Sequence, residues 1–334
     1  MKKYNVGILG ATGAVGMEMI KVLAERSFPI GELRLLASSR SAGKQIETPF
    51  GTCTVVEAAD SAFGGLDIVL GASANAISKQ FAPAIKASGA VYVDNSSAFR
   101  MDPDVPLIVP EVNPEDAKLH HGIIANPNCS TIITVVGINA IRRLSKIKAI
   151  YASTYQAVSG AGIKGPQEMY TQTRNILSGE PIEASTFAHQ IAFNLIPMIG
   201  SAGDNLYTSE EMKMQNEGRK IMHLPELKVS CTCVRVPVER SHSISACVIT
   251  EDHLDLDVVR EAVAREKGCQ LVDDPNAQVY PMPLETSNQD DVFVGRIRRD
   301  LVNENGINLW CCGDQVRKGA ATNAVQIAEL LIER

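Results

Sequence analysis

A glycine-spaced loop near the start of the chain, GATGAVG at residues 10–16, is the feature that most constrains the fold. It follows a short apolar run at residues 4–9 and precedes apolar residues at helical spacing over 14–24. A glycine-rich turn from strand to helix lets the backbone approach a pyrophosphate, and the helix N-terminus stabilises the negative charge. The loop therefore predicts a dinucleotide-binding unit, although its spacing differs from the commoner G-x-G-x-x-G.

Apolar runs and helical patterns continue to alternate through the first half of the chain. This alternation predicts a parallel, doubly wound sheet. Further strands are predicted at 33–37, 67–70, 91–94, 107–109 and 122–125, with a helix near 77–88. Beyond residue 129 the strand-like runs are longer and more mixed with helices, which predicts a second, α+β domain. Strands are expected there at 147–156, 228–238 and 246–249, and helices at 210–220 and 320–333.

The length and composition limit the classes of protein that fit. A chain of 334 residues is long for one core, so we predict a first domain of residues 1–128 plus 314–334 and a second of 129–313. The net charge of −6 offers no basic field for nucleic acid. No apolar run approaches the roughly 20 residues of a membrane span. The eight cysteines lack zinc-binding spacing, so no metal site is expected, and we expect a reducing, cytoplasmic environment.

Cys129 is the best candidate for a nucleophile in the sequence. It lies in NPNCST at residues 126–131, where polar residues and Pro127 precede an apolar stretch and signal the start of a helix. The N-terminus of a helix favours an anion, so a thiol at this position loses its proton more easily. A buried structural cysteine is the alternative interpretation. A thiolate and a dinucleotide in one chain indicate an aldehyde or acyl oxidoreductase.

The loop after the second predicted strand indicates which dinucleotide is bound. NAD-dependent enzymes usually carry an acidic residue about 20 residues beyond the glycine loop, where it binds the ribose 2′-hydroxyl. This chain has Ser38, Ser39 and Arg40 instead. Hydroxyl groups and a guanidinium suit a 2′-phosphate, so the loop favours NADP.

Several other residue types in the sequence suit an acyl-transfer site. His242 follows a strand-like run, but spacing alone does not select it from the six histidines as the general acid or base. Arg100 and Arg235 offer guanidinium groups for an anionic substrate. Glu210 and Lys213 share one face of a predicted helix, and a solvated salt bridge is the ordinary interpretation of such a pair.

Segments spread along nearly the whole chain resemble the bacterial type of aspartate-semialdehyde dehydrogenase. They occur in the order expected for that family. They are GATGAVG (10–16), SSRSAG (38–43), DNSSAFR (94–100), VPEVN (109–113), NPNCST (126–131), YQAVSGAG (155–162), TSEEMKM (208–214), RVPVERSHS (235–243) and RKGAATNAVQIAE (317–329).

The resemblance implies a role for each matching residue. Cys129 is the nucleophile, His242 the acid and base, and Gln156 the residue that orients the thioester and thiohemiacetal. Arg235 binds the substrate α-carboxylate, and Glu210 faces its α-ammonium. The phosphate-binding residues implied are Arg100, Lys213 and Asn95. The NADP-binding residues implied are Gly10, Thr12, Gly13, Ala14, Val15, Ser38, Ser39, Arg40, Gly160 and Gln315.

The activity implied is the reversible, NADPH-dependent reduction of aspartyl-4-phosphate to aspartate 4-semialdehyde and inorganic phosphate, in lysine, diaminopimelate, threonine and methionine biosynthesis. The fold implied is α/β, a Rossmann-type doubly wound parallel sheet with an α+β catalytic and dimerisation domain, in a homodimer. An N-acetyl-glutamyl-phosphate reductase and a degenerate paralogue without activity are the alternatives. The chain departs from the usual family pattern at Ser241, where glycine is usual, and at Gln315, where asparagine is usual.

Overall fold

The computed structural model describes residues 2–332, which form two compact units. The first comprises the residues up to Asn128 and those from Ala320 onward, and the second comprises Cys129–Gly319. The elements of the first unit are β1 (Tyr4–Leu9), α1 (Ala14–Glu25), β2 (Ile30–Ala37), β3 (Gln45–Thr48), β4 (Gly51–Thr54), β5 (Val56–Glu57), β6 (Ile68–Gly71), α2 (Asn75–Ala87), β7 (Val91–Asp94), β8 (Ile123–Ala125) and α8 (Thr322–Ile332).

The main sheet of the first unit is parallel, with strand order β5-β2-β1-β6-β7-β8. The chain leaves β1 toward β2 on one side and later returns to β6 on the other side. The carboxyl end of β1 is therefore the switch point of the sheet, where open α/β sheets bind ligands. The predicted doubly wound parallel sheet is confirmed.

The core of this unit explains the apolar run at residues 6–9 in β1. Val6 and Ile8 are fully buried because both faces of a central parallel strand are covered. Leu23 of α1 and Val325 of α8 belong to the same apolar cluster. This packing fixes the turn between β1 and α1, which is the GATGAVG loop.

The strand predicted at 107–109 is wrong. Only Leu107 makes an isolated parallel bridge, to Ala125. Pro106 and Pro110 flank the run, and proline has no N–H with which to continue a ladder. The segment therefore packs as buried extended chain beside β8, and the apolar run reflects burial alone.

The second unit is built on a six-stranded mixed sheet with order β10-β9-β11-β14-β13-β12, and the predicted α+β domain is confirmed. Helix α3 packs against this sheet, and α5 and α6 contact α3 beside it. The elements are α3 (Cys129–Leu144), β9 (Ile147–Gln156), α4 (Lys164–Ser178), α5 (Ser209–Met222), β10 (Lys228–Arg235), β11 (His242–Thr250), α6 (Leu256–Arg265), β12 (Cys269–Leu271), α7 (Pro283–Thr286), β13 (Val292–Arg299) and β14 (Gly306–Gly313).

Residues 314–319 lie in the second unit, whereas the sequence analysis assigned 314 onward to the first. The Asp314 carboxylate accepts hydrogen bonds from Arg240 Nε at 2.6 Å and from the backbone N–H of Asn288 at 2.7 Å, which holds this segment in the second unit. A π-helical turn over Arg317–Ala321 then leads into α8. The last position of the predicted C-terminal helix, residue 333, lies outside the described residues.

Among the described residues, no helix combines the length and the apolar character that crossing a bilayer requires.

Candidate active site

The GATGAVG loop has the close backbone contacts that require glycine. Gly10 has φ +88°, and a Cβ at this position would lie 2.5 Å from the carbonyl oxygen of Ala72. A Cβ on Gly16 would lie 2.5 Å from the carbonyl oxygen of Gly10. Gly13 is the N-cap of α1 and has no side chain to cap the first N–H groups of the helix. The loop thus leaves a helix N-terminus open to an anion at the switch point of the sheet.

Ser38, Ser39 and Arg40 follow directly after the buried end of β2. All three side chains are exposed. Because β2 is the parallel neighbour of β1, its carboxyl end lies beside the glycine loop. The structure therefore brings the predicted 2′-phosphate loop and the predicted pyrophosphate loop to one edge of the same sheet.

Arg100 and Asn95 belong to a buried polar network after β7. Arg100 Nε donates to the carbonyl oxygen of Asn126 at 2.9 Å, and its Nη2 donates to that of Asn95 at 2.8 Å. The Asn126 side chain donates to Asn95 Oδ1 at 2.8 Å and accepts from Asn323 Nδ2 at 2.7 Å. These bonds fix the guanidinium and also fix the backbone that leads to Cys129.

Cys129 is the first residue of α3, as the sequence predicted. Its side chain is partly accessible, whereas the residues that follow it, from Ser130 to Ile141, are all buried. A Cβ on Gly319 would lie 2.9 Å from the Cβ of Cys129, so a glycine is required beside the thiol. The thiol therefore lies at the N-terminus of a well-packed helix, a setting that favours the thiolate.

Strand register brings Gln156, Arg235 and His242 together at one edge of the second sheet. Gln156 and Arg235 are paired at the ends of the parallel strands β9 and β10. Strand β11 runs antiparallel to β9, so its first residue, His242, lies at the same edge. Burial lowers the pKa of Arg235, and the neighbouring Cys129 and Glu210 partly oppose this effect. The effect of Cys129 on the pKa of Arg235 indicates that the thiol lies near the guanidinium.

His242 is fully buried, and one of its ring nitrogens is occupied. The backbone N–H of Ala157 donates to His242 Nδ1 at 3.1 Å. No hydrogen-bond partner for Nε2 is present among the described residues. Burial and the nearby Arg235 lower the pKa of His242 to about 3. The geometry therefore indicates a neutral imidazole that carries its proton on Nε2.

Glu210 and Lys213 lie on the first turns of α5, as predicted. Lys213 Nζ donates to Glu210 Oε2 at 2.8 Å, and Gln156 Nε2 donates to Glu210 Oε1 at 3.2 Å. Helix α5 starts with a capping box between Thr208 and Glu211, which fixes the orientation of this turn. The contact with Gln156 distinguishes Glu210 from an ordinary surface residue.

Gly160 closes the site on the side of the imidazole. A Cβ at this position would lie 2.8 Å from Arg235 Nη1 and 3.1 Å from His242 Cε1. Gly160 belongs to a short 3-10 helix, Val158–Ala161, which directly follows β9. Ala157 is a site residue that the sequence did not indicate. Its carbonyl oxygen accepts from Arg235 Nη1 at 2.7 Å, and its N–H donates to His242 Nδ1. The run YQAVSGAG marks the segment, but sequence cannot show that its backbone binds two catalytic candidates.

Gln315 is buried, and both ends of its amide are engaged within the second unit. Its Oε1 accepts from the backbone N–H of Ser241 at 2.8 Å, and its Nε2 donates to Ser159 Oγ.

Among the described residues, no group of three His, Cys, Asp or Glu side chains is arranged to hold a metal ion.

Two family profiles match the chain, one in each half. The profile described as semialdehyde dehydrogenase, NAD binding domain, matches residues 5–120. The profile described as semialdehyde dehydrogenase, dimerisation domain, matches residues 138–318. A curated aspartate-semialdehyde dehydrogenase from Synechocystis is 50% identical over 331 residues, which cover 99% of this chain and 98% of that protein. The chain belongs to the aspartate-semialdehyde dehydrogenase family.

Solved structures of aspartate-semialdehyde dehydrogenases have the same fold. The enzyme II of Vibrio cholerae, complexed with ASA, superposes with a TM-score of 0.97 at 44% identity, over 100% of this chain and 99% of that one. The Candida albicans enzyme with NADP has a TM-score of 0.77 at 25% identity, over 98% of each chain. The predicted family and enzyme class are thereby confirmed: the chain is an aspartate-semialdehyde dehydrogenase of aspartate-family amino-acid biosynthesis.

Proposed function

We propose that the chain interconverts aspartyl-4-phosphate and aspartate 4-semialdehyde through a thioester on Cys129, with NADP as the cofactor and inorganic phosphate as the second product. The observation that carries this proposal is the convergence of Gln156, Arg235, His242 and Glu210 around one edge of the sheet, with Cys129 coupled to Arg235. A thiol, a buried imidazole and a buried guanidinium supply a nucleophile, a proton donor and an anchor for a carboxylate.

The covalent step begins with attack of the Cys129 thiolate on the acyl carbon of aspartyl phosphate. The carbon–sulfur bond forms, the bond to the phosphate oxygen breaks, and inorganic phosphate leaves. Reduction of the thioester gives a thiohemiacetal, whose collapse releases the semialdehyde and regenerates the thiolate. In the opposite direction, the thiolate adds to the aldehyde to form the thiohemiacetal. Oxidation of the thiohemiacetal, for which NADP would accept the hydride, gives the thioester, and phosphate then cleaves it.

His242 handles the proton on the thiohemiacetal oxygen. Since the Ala157 N–H occupies Nδ1, the proton available for donation is on Nε2. Gln156 is held by Glu210 on its amide nitrogen and accepts from Thr154 Oγ1 at 3.0 Å on its amide oxygen, which orients the amide beside the reacting carbon. A fixed donor set of this kind stabilises charge that develops during the reaction.

Arg235 and Glu210 distinguish the ends of the aspartyl substrate. The buried guanidinium of Arg235 binds the α-carboxylate, and the Glu210 carboxylate binds the α-ammonium. Lys213 already neutralises one oxygen of Glu210 and is half-buried. The resemblance implies that Lys213 binds the phosphate together with Arg100 and Asn95. An N-acetylated substrate has no α-ammonium and leaves the Glu210 charge without its substrate partner.

The first unit suits NADP. Its glycine loop excludes side chains at Gly10 and Gly16, and its neighbouring loop exposes the Ser38 and Ser39 hydroxyls and the Arg40 guanidinium. Thr12, Gly13, Ala14 and Val15 complete the set that would hold the cofactor in this unit. The resemblance implies that Gly160 approaches the nicotinamide. When bound, NADP supplies or accepts the hydride.

We also infer that the active protein is a homodimer. The dimerisation profile covers the second unit, and the sheet face opposite α3 carries Tyr151, which is 60% exposed. Tyr155 and Trp310 lie on that face with ring centroids 5.4 Å apart. A cleft of about 310 Å³ beside Trp310 is lined mainly by apolar side chains, including Pro281 and Met282. A second copy of the chain covers this face.

The eight free cysteines of the chain fit a reducing, cytoplasmic environment.

The function is tested by following NADPH formation from aspartate semialdehyde with and without inorganic phosphate. We expect activity that depends on phosphate and is much lower with N-acetyl-glutamate semialdehyde. Phosphate-independent oxidation to the free acid would contradict the phosphorylating reaction, and a preference for the N-acetylated aldehyde would contradict the substrate.

A further inference from the structure

Gln315 connects the two segments that hold the His242 imidazole. One segment is the turn after β9, where Ala157 donates its N–H to His242 Nδ1 and Gly160 lies against the ring. The other segment is the residue before the histidine, Ser241. The Gln315 amide accepts from the Ser241 N–H with its oxygen and donates to Ser159 Oγ, in the turn, with its nitrogen. One side chain therefore fixes the distance between the ring and its backbone donor.

Ser241 has a backbone conformation that needs such support. Its φ is +74°, in the left-handed region that a residue with a Cβ seldom occupies. Its N–H bonds to Gln315 Oε1 at 2.8 Å, and its hydroxyl bonds to Thr286 Oγ1 at 2.7 Å. The residue is fully buried, so these bonds have no competition from water. His242 starts β11 directly after this restrained residue, so a change in Ser241 rotates the imidazole.

The Ser159 end of the bridge is also restrained. The Ser159 hydroxyl donates to the carbonyl oxygen of Glu239 at 2.5 Å, and its N–H donates to the same oxygen at 3.2 Å. The N–H of Val158 donates to the carbonyl oxygen of Val238 at 2.8 Å. The turn is thus attached to the segment before His242 at three points, and Gln315 adds the connection closest to the histidine.

The backbone of Gln315 is itself fixed. The preceding residue, Asp314, is fully buried and accepts from Arg240 Nε at 2.6 Å. Its other carboxylate oxygen accepts from the N–H groups of Val316 at 2.8 Å and Arg317 at 3.1 Å. An amide held from a fixed backbone and engaged at both ends is suited to positioning other groups.

We propose that Gln315 is a positioning residue for His242, acting through Ser241 and Ser159. The inference rests on the proposed role of His242 as the proton donor. It adds to the cofactor contact that the sequence resemblance implies for Gln315, because an amide that is bonded once at each end keeps a second donor and a second acceptor.

The test combines Gln315→Leu with His242→Asn in a double-mutant cycle. Leucine keeps much of the volume and removes both hydrogen bonds. We expect Gln315→Leu to lower kcat about 10- to 100-fold, since small displacements of a catalytic group have effects of that size. The Kd of NADPH, measured by cofactor fluorescence, reports separately on any contact between Gln315 and the cofactor. In the His242→Asn background, Gln315→Leu should lower kcat less than about twofold, because residues that act as a unit are not additive.

One further variant keeps the test informative if Gln315→Leu is unstable. Ser159→Ala removes only one end of the bridge and should lower kcat roughly three- to tenfold, with the same dependence on His242. Two control variants each remove one hydrogen bond elsewhere. Ser178→Ala removes the hydroxyl that donates to the carbonyl oxygen of Arg174, and Gln270→Leu removes the amide that donates a hydrogen bond to Asp291. Both controls should keep the wild-type kcat.

Each contrary result has a separate meaning. A raised Kd for NADPH with unchanged kcat would show that Gln315 contributes only to cofactor binding, which overturns the proposal. An equal loss of kcat in the wild-type and His242→Asn backgrounds would show that Gln315 acts by another route, which also overturns it. A wild-type kcat for His242→Asn alone would instead contradict the proposed function.

Discussion

His242 is a buried titratable group at the centre of the candidate site, and its environment favours the neutral form. Desolvation and the nearby Arg235 lower its pKa. In addition, Nδ1, which would have to gain a proton to form imidazolium, already accepts a hydrogen bond from the Ala157 N–H. The ring therefore differs from a surface histidine, which changes charge near pH 6.5. At the residue scale, this sets both its chemistry and its effect on stability.

The pKa of His242 predicts a pH-dependent effect on stability. The unfolded chain protonates this histidine near pH 6.5, whereas the folded chain does so only near pH 3, so protons favour unfolding between these values. At pH 5 the destabilisation is about 2 kcal/mol, and above pH 7 it is absent. His242→Asn lacks this effect, so its Tm relative to wild type should rise as pH falls from 7.5 to 5. A Tm difference independent of pH would contradict the buried neutral ring.

The same substitution tests the catalytic role of His242. We expect His242→Asn to lower kcat by roughly 10²–10⁴, the usual contribution of a general acid or base. NADPH binding should persist, and steady-state assays from pH 6 to 9 measure the change. An unchanged pH–rate profile and kcat would remove His242 from the mechanism.

Cys129→Ala should abolish turnover in both directions, because no other nucleophile forms the thioester. Cys129→Ser should retain a trace at most, since a hydroxyl is a much weaker nucleophile near neutral pH. Cys53→Ala is the matched control, because Cys53 is also a partly accessible thiol. The assay is phosphate-dependent NADPH formation. Turnover of Cys129→Ala within tenfold of wild type would contradict the covalent mechanism.

Glu210→Gln should raise KM for the semialdehyde more than it lowers kcat, since the ammonium contact exists before and during the reaction. A charge-assisted hydrogen bond of about 1.5–3 kcal/mol corresponds to a roughly 10- to 100-fold effect. Glu226→Gln, on the loop before β10, is a control that removes a carboxylate elsewhere. An unchanged KM would show that Glu210 serves only its contacts with Lys213 and Gln156.

At the scale of elements, the chemistry depends on where strands end. The loop after β2 is exposed and does not pack in the core. Core packing therefore does not restrict its sequence, and its residues can be suited to the cofactor. Its position beside the glycine loop follows from the parallel pairing of β1 and β2. We therefore expect cofactor specificity to depend on this exposed loop, whereas the buried strands determine the fold.

Arg40→Asp should reverse or reduce the preference for NADP, because a carboxylate repels a 2′-phosphate and accepts from a 2′-hydroxyl. The measurement is kcat/KM with each cofactor. Lys44→Asp, a nearby change of equal charge, is the control for general electrostatics. A wild-type enzyme that prefers NAD would contradict the interpretation of Ser38, Ser39 and Arg40.

At the scale of the whole molecule, the second sheet explains why the family profile names a dimerisation domain. Helix α3 covers one face, and the other carries Tyr151, Tyr155 and Trp310. Aromatic residues of this kind bury large areas at interfaces and are costly to leave in water. We therefore expect subunit association to depend on this face.

Trp310→Glu should shift the protein from dimer to monomer, because burying an unpaired carboxylate at an interface is strongly unfavourable. Sedimentation velocity and light scattering measure the change in mass. Leu301→Glu, a change at an almost fully exposed leucine away from that face, should leave the dimer intact. A Trp310→Glu protein that remains dimeric would place the interface elsewhere.

The sequence determined those features that depend on neighbours along the chain. Strands β1, β7 and β9 were predicted with the bounds observed, and so was the start of α3 at Cys129. Periodicity and capping residues report burial and helix starts locally, and this is enough for the fold class. The prediction failed at 107–109, where burial of an apolar run imitated a strand between two prolines.

Only the tertiary structure decided which dispersed residues meet. Spacing could not choose His242 from the six histidines, because its proximity to Gln156 and Arg235 arises from the register of β9, β10 and β11. Likewise, nothing local to Gln315 connects it with Ser159, which lies 156 positions earlier in the chain. Long-range pairing is set by the packing of whole elements, so a single sequence names the chemical groups and the fold brings them together.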